Sequence, residues 1–361
     1  MKKLAIFLPE LAEGGAERVM LNLAPAFMAV GYDVTFLLPR FKGSNMKLIP
    51  AGAKAVSLRS RSTIGCLFPL IRYLRRQRPA VLLSNLGHNN IVAIWAVKLS
   101  RVRTRVIVTQ HNTLSQECRF RKSWRYKILP LLSYLFLPMA DAIIAVSQGA
   151  AADLAAVCGI AREYVSVIPN PVVTGNFESR MKETVSHPWL DGKIPVILGI
   201  GRLAAQKDFK TLLSAFAIAS RQRELRLVIL GEGPQRAALL KQAAAEGIAE
   251  KIDLPGFQPN PLPFIRQAKL LVTSSLYEGF GNVIAEALAC GTNVVSTDCP
   301  HGPAEILENG AYGRLVPVGD AEAMAEAMCD ALEHPMDAEK LRKRGNGYSA
   351  MRAAGSYLRC F

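Results

Sequence analysis

The chain has 361 residues, half of them hydrophobic, and a formal net charge of +15. This length is long for a single core, so we expect two domains. Its seven cysteines are scattered and include no C-x-x-C pair. Charged residues and glycines occur too early in the N-terminal segment for a secretory signal. Both features indicate a reducing cytosol.

The excess positive charge lies entirely in the first half of the chain. Residues 1–180 hold 24 Lys and Arg against 9 Asp and Glu, whereas residues 181–361 hold 20 of each. The densest basic segments are 72–78, 98–105 and 119–127, the last with aromatic residues between its cations. A basic surface on one domain predicts an anionic partner, either lipid headgroups with a lipid pyrophosphate or a nucleic acid.

The first half alternates apolar runs with helical periodicity, which predicts a parallel sheet. Its predicted strands are "KKLAIFLP", "YDVTFLLP", "PAVLLSNL", "RVIVTQH" and "ADAIIAVS". The apolar stretch 128–146 could be mistaken for a membrane span, but Pro130, Pro138 and Asp141 interrupt it. It therefore predicts a short helix followed by a core strand.

Two features of this half are candidates for ligand contact. The segment "EGGAER" (13–18) places Gly14 and Gly15 between a strand and a helix, where a glycine turn allows close approach to a phosphate. His111 lies just past a strand end, at the edge of the sheet where parallel folds bind ligands.

A segment rich in proline, glycine and polar residues predicts a linker at 176–193, between domains at 1–175 and 194–339. Strands and helices then alternate again, with predicted strands "IPVILGIG", "LRLVILGEG", "KIDLPGF", "KLLVTSS" and "TNVVSTD". The predicted fold class is α/β, with two doubly wound Rossmann-like domains facing each other across a cleft.

Two permanent cations follow the first strand of the second domain. The segment "GIGRLAAQKDF" places Arg202 and Lys207 at the carboxyl edge of the sheet, and together with a helix N-terminus they predict a diphosphate site. The glycine turn "LGEGPQ" (230–235) is interpreted as a structural strand-to-helix turn.

Two carboxylates stand in the segment "SLYEGFGNVIAEALACG" (275–291). The pattern predicts a strand, a glycine loop and a short helix, with Glu278 in the loop, Glu286 near the helix start and Asn282 as the N-cap. Such an arrangement predicts a phosphorylated ligand whose hydroxyls a carboxylate can bind.

No D-x-D triplet, no P-loop and no metal-ligand spacing of His and Cys occur in the sequence. We therefore expect no metal and no other cofactor, and phosphate charge met by Arg, Lys and backbone N–H groups.

The sequence resembles the family 4 glycosyltransferases of the retaining GT-B type over nearly its whole length. The motifs that carry the resemblance are "GGAERV", "VSQGAAADL", "VSVIPNPV", "GIGRLAAQKDF", "LGEGPQR", "LPGF" and "YEGFGNVIAEALACGTNVVSTDCPHGPAEI". Two of these segments, "GGAER" and "DCPHGPAEIL", are also similar to bacterial enzymes that extend lipid-linked saccharides, often with N-acetylhexosamines.

The resemblance implies a role for each candidate residue. It implies that Glu286 binds the ribose hydroxyls, that Arg202 and Lys207 neutralise the leaving diphosphate, and that Glu278 holds the donor sugar. It further implies that the N–H groups of Gly279, Phe280 and Gly281 hold the donor sugar and its phosphate. Gly14 and Gly15 are implied to contact the diphosphate, and His111 the donor sugar. It also implies that residues 340–361 form a helix that joins the first domain.

The implied reaction is transfer of a sugar from a nucleotide-sugar, a UDP-sugar, to an alcohol of a lipid-linked saccharide, with retention of anomeric configuration. Its setting is lipopolysaccharide, polysaccharide or glycolipid synthesis at the inner face of the cell membrane. The basic segment 119–127, with Arg105 upstream, Trp124 and Tyr126, predicts contact with an anionic membrane surface. The alternatives are a nucleic-acid-binding protein that uses the basic half, and a sugar phosphorylase with the same fold.

Overall fold

The structure is a computed structural model that describes residues 2–11, 14–121, 123–185, 187–190 and 192–361. The chain divides into two compact units. The first domain comprises the chain up to Thr174 together with Ser349–Phe361, and the second domain comprises Gly175–Tyr348. The segment 176–193, predicted as a linker, lies within the second domain, and only the last part of segment 340–361 lies in the first.

The first domain is built on a seven-stranded parallel sheet in the order β3-β2-β1-β4-β5-β6-β7. Its strands are β1 Lys2–Phe7, β2 Tyr32–Leu38, β3 Lys54–Ser57, β4 Val81–Asn85, β5 Arg105–Gln110, β6 Ala142–Ala145 and β7 Val165–Val167. Its first six helices are α1 Gly15–Ala29, α2 Leu67–Gln77, α3 Gly87–Ser100, α4 Leu114–Phe120, α5 Trp124–Phe136 and α6 Gln148–Cys158.

Both faces of this sheet are buried, which explains why its central strands are continuous apolar runs. Side chains alternate along β1: Ala5 and Phe7 belong to one buried cluster with α2 and α3, whereas Leu4 and Ile6 belong to another with α1. The helices therefore cover the sheet on two sides, as in a doubly wound fold.

The second domain is built on a six-stranded parallel sheet in the order β10-β9-β8-β11-β12-β13. Its strands are β8 Val196–Ile200, β9 Arg226–Leu230, β10 Ile252–Gly256, β11 Leu270–Thr273, β12 Asn293–Thr297 and β13 Arg314–Val316. Its helices are α7 Phe177–Met181, α8 Phe209–Gln222, α9 Arg236–Ala245, α10 Leu262–Gln267, α11 Asn282–Cys290, α12 Pro303–Ile306, α13 Ala321–Glu333 and α14 Ala338–Asn346.

The predicted fold class of two Rossmann-like domains is confirmed, and every predicted strand is present. Three strands were not predicted: β3, β7 and β13. Each is three or four residues long and lies at the edge of its sheet. The stretch 128–146 forms α5 and β6, and none of the described helices is long and apolar enough to cross a membrane.

The final segment of the chain completes the core of the first domain. It forms α15, Ala350–Leu358, whose Tyr357 is only 1% exposed. The Tyr357 ring meets that of Phe27 on α1 edge to face, with centroids 6.0 Å apart. The Phe361 ring lies 5.3 Å from the same Phe27 ring, so α15 and α1 share one aromatic cluster.

Replacing Tyr357 by alanine should lower the free energy of unfolding of the first domain by about 3–5 kcal/mol, because a large buried aromatic side chain leaves a cavity. The matched control is Met351→Ala on the same helix, whose side chain is 59% exposed. Urea unfolding of both variants is the measurement. Equal losses in the two variants would show that α15 is not anchored through Tyr357.

Candidate active site

The order of the strands reverses once in each sheet, and open α/β sheets bind ligands at such a reversal. In the first sheet the reversal lies between β1 and β4, and in the second between β8 and β11. Gly14 and Gly15 follow β1, whereas Arg202 and Lys207 follow β8 and Glu278 follows β11. In each domain, predicted residues therefore lie at the position that the topology favours.

Lys207 and Glu278 form an ion pair although 71 residues separate them in the chain. Lys207 ends a 3₁₀ turn before α8, and Glu278 lies in the loop between β11 and α11. Their side chains are 21% and 12% exposed. The Ser275 hydroxyl donates to the same Glu278 oxygen, Oε1, at 2.7 Å. Two donors, one of them charged, thus fix the orientation of this carboxylate.

The loops that carry this ion pair are joined by three further hydrogen bonds. The Ser274 hydroxyl donates to the Lys207 carbonyl at 2.8 Å. The Leu276 amide donates to the Gln206 carbonyl at 2.8 Å, and the Gln206 side chain donates to the Tyr277 carbonyl at 3.0 Å. The two loops therefore form one rigid unit at the strand reversal.

The glycine turn after β9 supports the loop that carries Arg202. Gly231 has φ +144°, and a Cβ atom there would lie 1.9 Å from the Gly201 carbonyl oxygen. The Leu203 amide donates to the Glu232 carbonyl at 2.9 Å. This geometry agrees with the interpretation of "LGEGPQ" as a structural turn. The Arg202 side chain is exposed and forms no ion pair within the described part of the chain.

The glycine loop before α11 differs from the prediction at its last residues. The helix begins at Asn282, so its N-cap is Gly281 and not Asn282. The reason is that Gly281 has φ +104°, a conformation that glycine adopts without strain. Glu286 is half-buried and lies one turn into α11. Phe280 is buried, and its ring centroid lies 5.3 Å from that of Tyr348.

A third loop joins this site, and the site prediction did not include it. The Glu278 amide donates to the Pro300 carbonyl at 2.8 Å, and the His301 amide donates to the Glu278 carbonyl at 3.0 Å. A Cβ atom on Gly302 would lie 2.2 Å from the Phe280 carbonyl oxygen. The signal in the sequence was the P-H-G-P segment directly after a predicted strand, where a glycine permits close approach.

The candidate loop of the first domain contains a buried acid. Gly14 is the N-cap of α1, and Gly15 begins the helix, while Glu13 lies outside the described residues. Glu17, in the first turn, is 7% exposed, and burial raises the pKa of its carboxyl to about 7. The sequence prediction missed Glu17, because nothing in the pattern distinguishes a buried acid from a solvated one.

Asn85 is the last residue of β4, and His111 follows β5, the neighbouring strand of the first sheet. His111 is 6% exposed, and burial lowers the pKa of its imidazole to about 4, so it is neutral at physiological pH. The Asn170 side chain interacts with this imidazole and partly opposes the shift. Asn85 donates its amide to the Ala16 carbonyl at 3.4 Å, while its Oδ1 has no partner among the described residues. Both side chains could accept or donate a hydrogen bond to a ligand.

The structure thus brings together Lys207, Glu278 and the Gly279–Gly281 loop, and places Arg202 and Glu286 on the adjoining segments. Gly14, Gly15 and His111 lie at the carboxyl edge of the first sheet. Across the described residues, no group of three or more His, Cys, Asp and Glu could hold a metal ion.

Two doubly wound parallel sheets are the architecture of the GT-B class of glycosyltransferases, and solved structures share it. Anabaena HepE in complex with UDP-glucose matches with a TM-score of 0.80 at 19% sequence identity, over 100% of both chains. The lipopolysaccharide outer core galactosyltransferase WaaB, in its apo form, matches with a TM-score of 0.75 at 20% identity, over 100% of this chain and 99% of that one. The likeness at these identities concerns the fold.

The chain belongs to glycosyltransferase family 4. The family described as "Glycosyltransferase Family 4" matches residues 13–175, and "Glycosyl transferases group 1" matches residues 182–347. A relative from Campylobacter jejuni, N-acetylgalactosamine-N,N'-diacetylbacillosaminyl-diphospho-undecaprenol 4-alpha-N-acetylgalactosaminyltransferase, is 29% identical, covering 98% of this chain and 95% of that protein. The lipopolysaccharide core biosynthesis glycosyltransferase LpsE of Rhizobium meliloti is 29% identical, covering 92% and 90%.

The buried Glu17 predicts a pH dependence of stability. Its pKa is raised in the folded state, so the folded chain holds a proton that the unfolded chain has released between pH about 4.5 and about 7. The stability contributed by this group is therefore present below that window and is lost as pH rises through it. The advantage of the wild type over Glu17→Gln in melting temperature should shrink from pH 5 to pH 8, roughly the range that the two pKa values bracket.

Thermal melts across this range are the measurement, and Glu163→Gln, at an exposed position of the same domain, is the control. A difference between wild type and Glu17→Gln that stays constant with pH would contradict the assignment.

Proposed function

We propose that the protein transfers a hexose or N-acetylhexosamine from a UDP-sugar to an alcohol of a lipid-linked saccharide, with retention of anomeric configuration. The observation that carries this proposal is the largely buried Lys207–Glu278 pair at the strand reversal, with Arg202 on the same loop as Lys207. Two comparisons support it: HepE is a structural neighbour with UDP-glucose bound, and the Campylobacter relative is named for a diphospho-undecaprenol substrate.

The cations act on the leaving group. Negative charge accumulates on the diphosphate as the bond to the sugar breaks, and fixed cations in a partly buried site stabilise it. Lys207 is paired with Glu278 in the structure. An incoming diphosphate competes with Glu278 for the ammonium group, and the carboxylate then becomes available to hydroxyls of the donor sugar.

The remaining donor contacts follow from the loop and helix that come after Glu278. The backbone N–H groups of Gly279, Phe280 and Gly281 bind the donor sugar and its phosphate, and Glu286 binds the ribose hydroxyls. Gly14 and Gly15 are assigned to the diphosphate, and the neutral His111 to the donor sugar, where it donates or accepts one hydrogen bond without bringing a charge.

Retention needs no covalent intermediate in this proposal. The acceptor hydroxyl attacks from the face that the diphosphate leaves, and a donor phosphate oxygen takes its proton. Arg202 and Lys207 offset the negative charge on that phosphate throughout. The anomeric configuration of the product, read from its NMR coupling constants, tests this step, since an inverted product would rule it out.

Removing the cation of Lys207 should lower turnover far more than it weakens binding. Lys207→Met keeps the length of the side chain, and kcat with a UDP-sugar should fall about 10²–10³-fold, the usual effect of losing one group that stabilises the transition-state charge. Release of UDP from a panel of UDP-hexoses and UDP-N-acetylhexosamines is the measurement. The control is Lys210→Met, an exposed lysine on α8. Unchanged turnover in Lys207→Met would remove the proposal.

Calorimetric titration of the wild type and of Glu286→Gln with UDP tests the assignment of Glu286. Glu286→Gln keeps the shape of the side chain and removes a charge-assisted hydrogen bond, worth about 1.5–3 kcal/mol. Affinity for UDP should fall accordingly, and wild-type affinity would show that Glu286 does not bind the ribose.

We further propose that the first domain rests on an anionic membrane through the outer face of α5. Trp124, Ile128, Leu131 and Leu135 repeat at helical spacing on this helix, and their side chains are 65%, 40%, 59% and 51% exposed. A helix on the surface of a soluble domain normally turns polar residues outward. This apolar stripe is hereafter called the α5 face, and it is suited to the interface of a bilayer.

Cations lie beside the N-terminal end of the α5 face. Arg119, Arg121, Arg125 and Lys127 are all exposed, and the Arg125 guanidinium lies 5.9 Å from the Trp124 ring centroid. Lys122 lies outside the described residues. Arg105, which the sequence analysis grouped with these cations, begins β5 at the opposite edge of the sheet, so its inclusion was wrong. Apolar side chains with cations at one end of the stripe favour an anionic headgroup region, where each cation contributes about 1 kcal/mol.

Polar substitution on the α5 face should release the protein from membranes. Trp124→Ser combined with Leu131→Ser should lower partitioning into phosphatidylglycerol vesicles at least about tenfold, since burying each such side chain contributes roughly 1.5–3 kcal/mol. Co-sedimentation at low and high salt is the measurement. The control is Tyr164→Ser with Leu240→Ser, which are 71% and 46% exposed elsewhere. A wild type that stays in the supernatant at low salt would favour a soluble acceptor.

A further inference from the structure

A basic cavity lies at the amino edge of the first sheet, the edge opposite to the candidate residues. It has a volume of about 760 Å³, and five of its lining residues are cations: Lys2, Lys3, Arg78, Arg101 and Arg103. Lys2 and Lys3 begin β1, whereas Gly14 and Gly15 follow its other end. At about 3.3 Å per residue, the six residues of β1 place this cavity roughly 20 Å from the carboxyl edge.

The positive charge of the cavity is uncompensated. Within the described residues, none of the five cations forms an ion pair, and no Asp or Glu lines the cavity. The sequence itself contains no acid between Asp33 and Glu117. Two carboxylates in this part of the domain already have partners: Asp33 pairs with Lys54 at 2.8 Å, and Asp141 accepts the Val106 amide at 2.7 Å. Like charges that converge without a counterion destabilise a fold.

The ends of helices explain the positions of only two of the five cations that line the cavity. Arg78 and Arg101 are the residues that follow α2 and α3, and a cation there interacts favourably with the helix dipole. Both have left-handed φ angles, +44° and +56°, where glycine would be favoured. Lys2, Lys3 and Arg103, however, stand at no helix end, so their convergence on the same cavity requires another explanation.

The lining also restricts the chemistry of a ligand. No aromatic residue lines the cavity, so it offers no ring on which a nucleobase could stack. The Thr104 hydroxyl already donates to the Pro79 carbonyl at 2.7 Å. What the cavity presents is positive charge and N–H donors, in a volume that fits a small molecule. Such a site recognises phosphate oxygens rather than a base.

We propose that this cavity is a second anion site, distinct from the donor site, that binds a phosphate-bearing small molecule. The ligand carries one or more phosphate groups, which bind to Lys3, Arg103 and the cations around them. The source is either a free polyphosphate or the phosphate of a lipid headgroup.

The test uses soluble probes in calorimetry, in the presence of saturating UDP. The probes are inorganic tripolyphosphate, dihexanoyl phosphatidylglycerol below its micelle concentration, and a single-stranded oligonucleotide. The variant is Lys3→Gln with Arg103→Gln, which leaves both helix ends unchanged. The control is Arg40→Gln with Lys42→Gln, two exposed cations that follow β2 at the opposite edge.

The expected result is that at least one phosphate probe binds the wild type and the control, and binds the double variant at least about tenfold more weakly. Binding of tripolyphosphate alone identifies a free polyphosphate as the ligand, and binding of the short-chain lipid identifies a headgroup. The proposal is overturned if neither phosphate probe binds, if the control loses as much affinity as the variant, or if the oligonucleotide binds most tightly through Lys3 and Arg103. UDP-sugar turnover of the double variant should equal that of the wild type, so failure here leaves the transferase proposal intact.

Discussion

The carboxyl ends of parallel strands lie along one edge of a sheet, and this constraint assembles the candidate site of the second domain. Lys207 and Glu278 meet because β8 and β11 are neighbours in the sheet, although two strands and three helices lie between β8 and β11 in the chain. The strand order reverses between these two strands, so helices leave to opposite sides and the loops have room for a ligand. The ion pair, its hydrogen bond from Ser275 and the hydrogen bond from the Gln206 side chain to the Tyr277 carbonyl then hold the loops in place.

The central strands of both sheets could be predicted because they are buried on both faces and read as continuous apolar runs. Three of the four edge strands, β3, β7 and β13, lack that signal. β7 and β13 are three residues long and β3 is four, with side chains that are partly exposed, so their sequences do not differ from those of loops. Their position is set by the neighbouring strand that offers free backbone groups, which is a property of the assembled sheet.

For the candidate site, residue types and their place after strands were enough to single out Arg202, Lys207 and Glu278. Contacts between segments were not foreseeable. The burial of Glu17, the support of Gly201 by Gly231 and the link from Glu278 to the Pro300–Gly302 loop all depend on how loops meet in three dimensions. Arg105 shows the converse, since residues close in the sequence are separated when a strand carries them to opposite edges.

The first domain is discontinuous, and this has a consequence for its biosynthesis. The ribosome delivers the sheet and α1 first, then the whole second domain, and only afterwards the segment Ser349–Phe361. Until that segment emerges, Phe27 and the apolar side chains around it lack the cover that Tyr357 and Phe361 provide. The hydrophobic surface around Phe27 therefore stays exposed during synthesis of the second domain. Exposed hydrophobic surfaces of this kind are bound by chaperones.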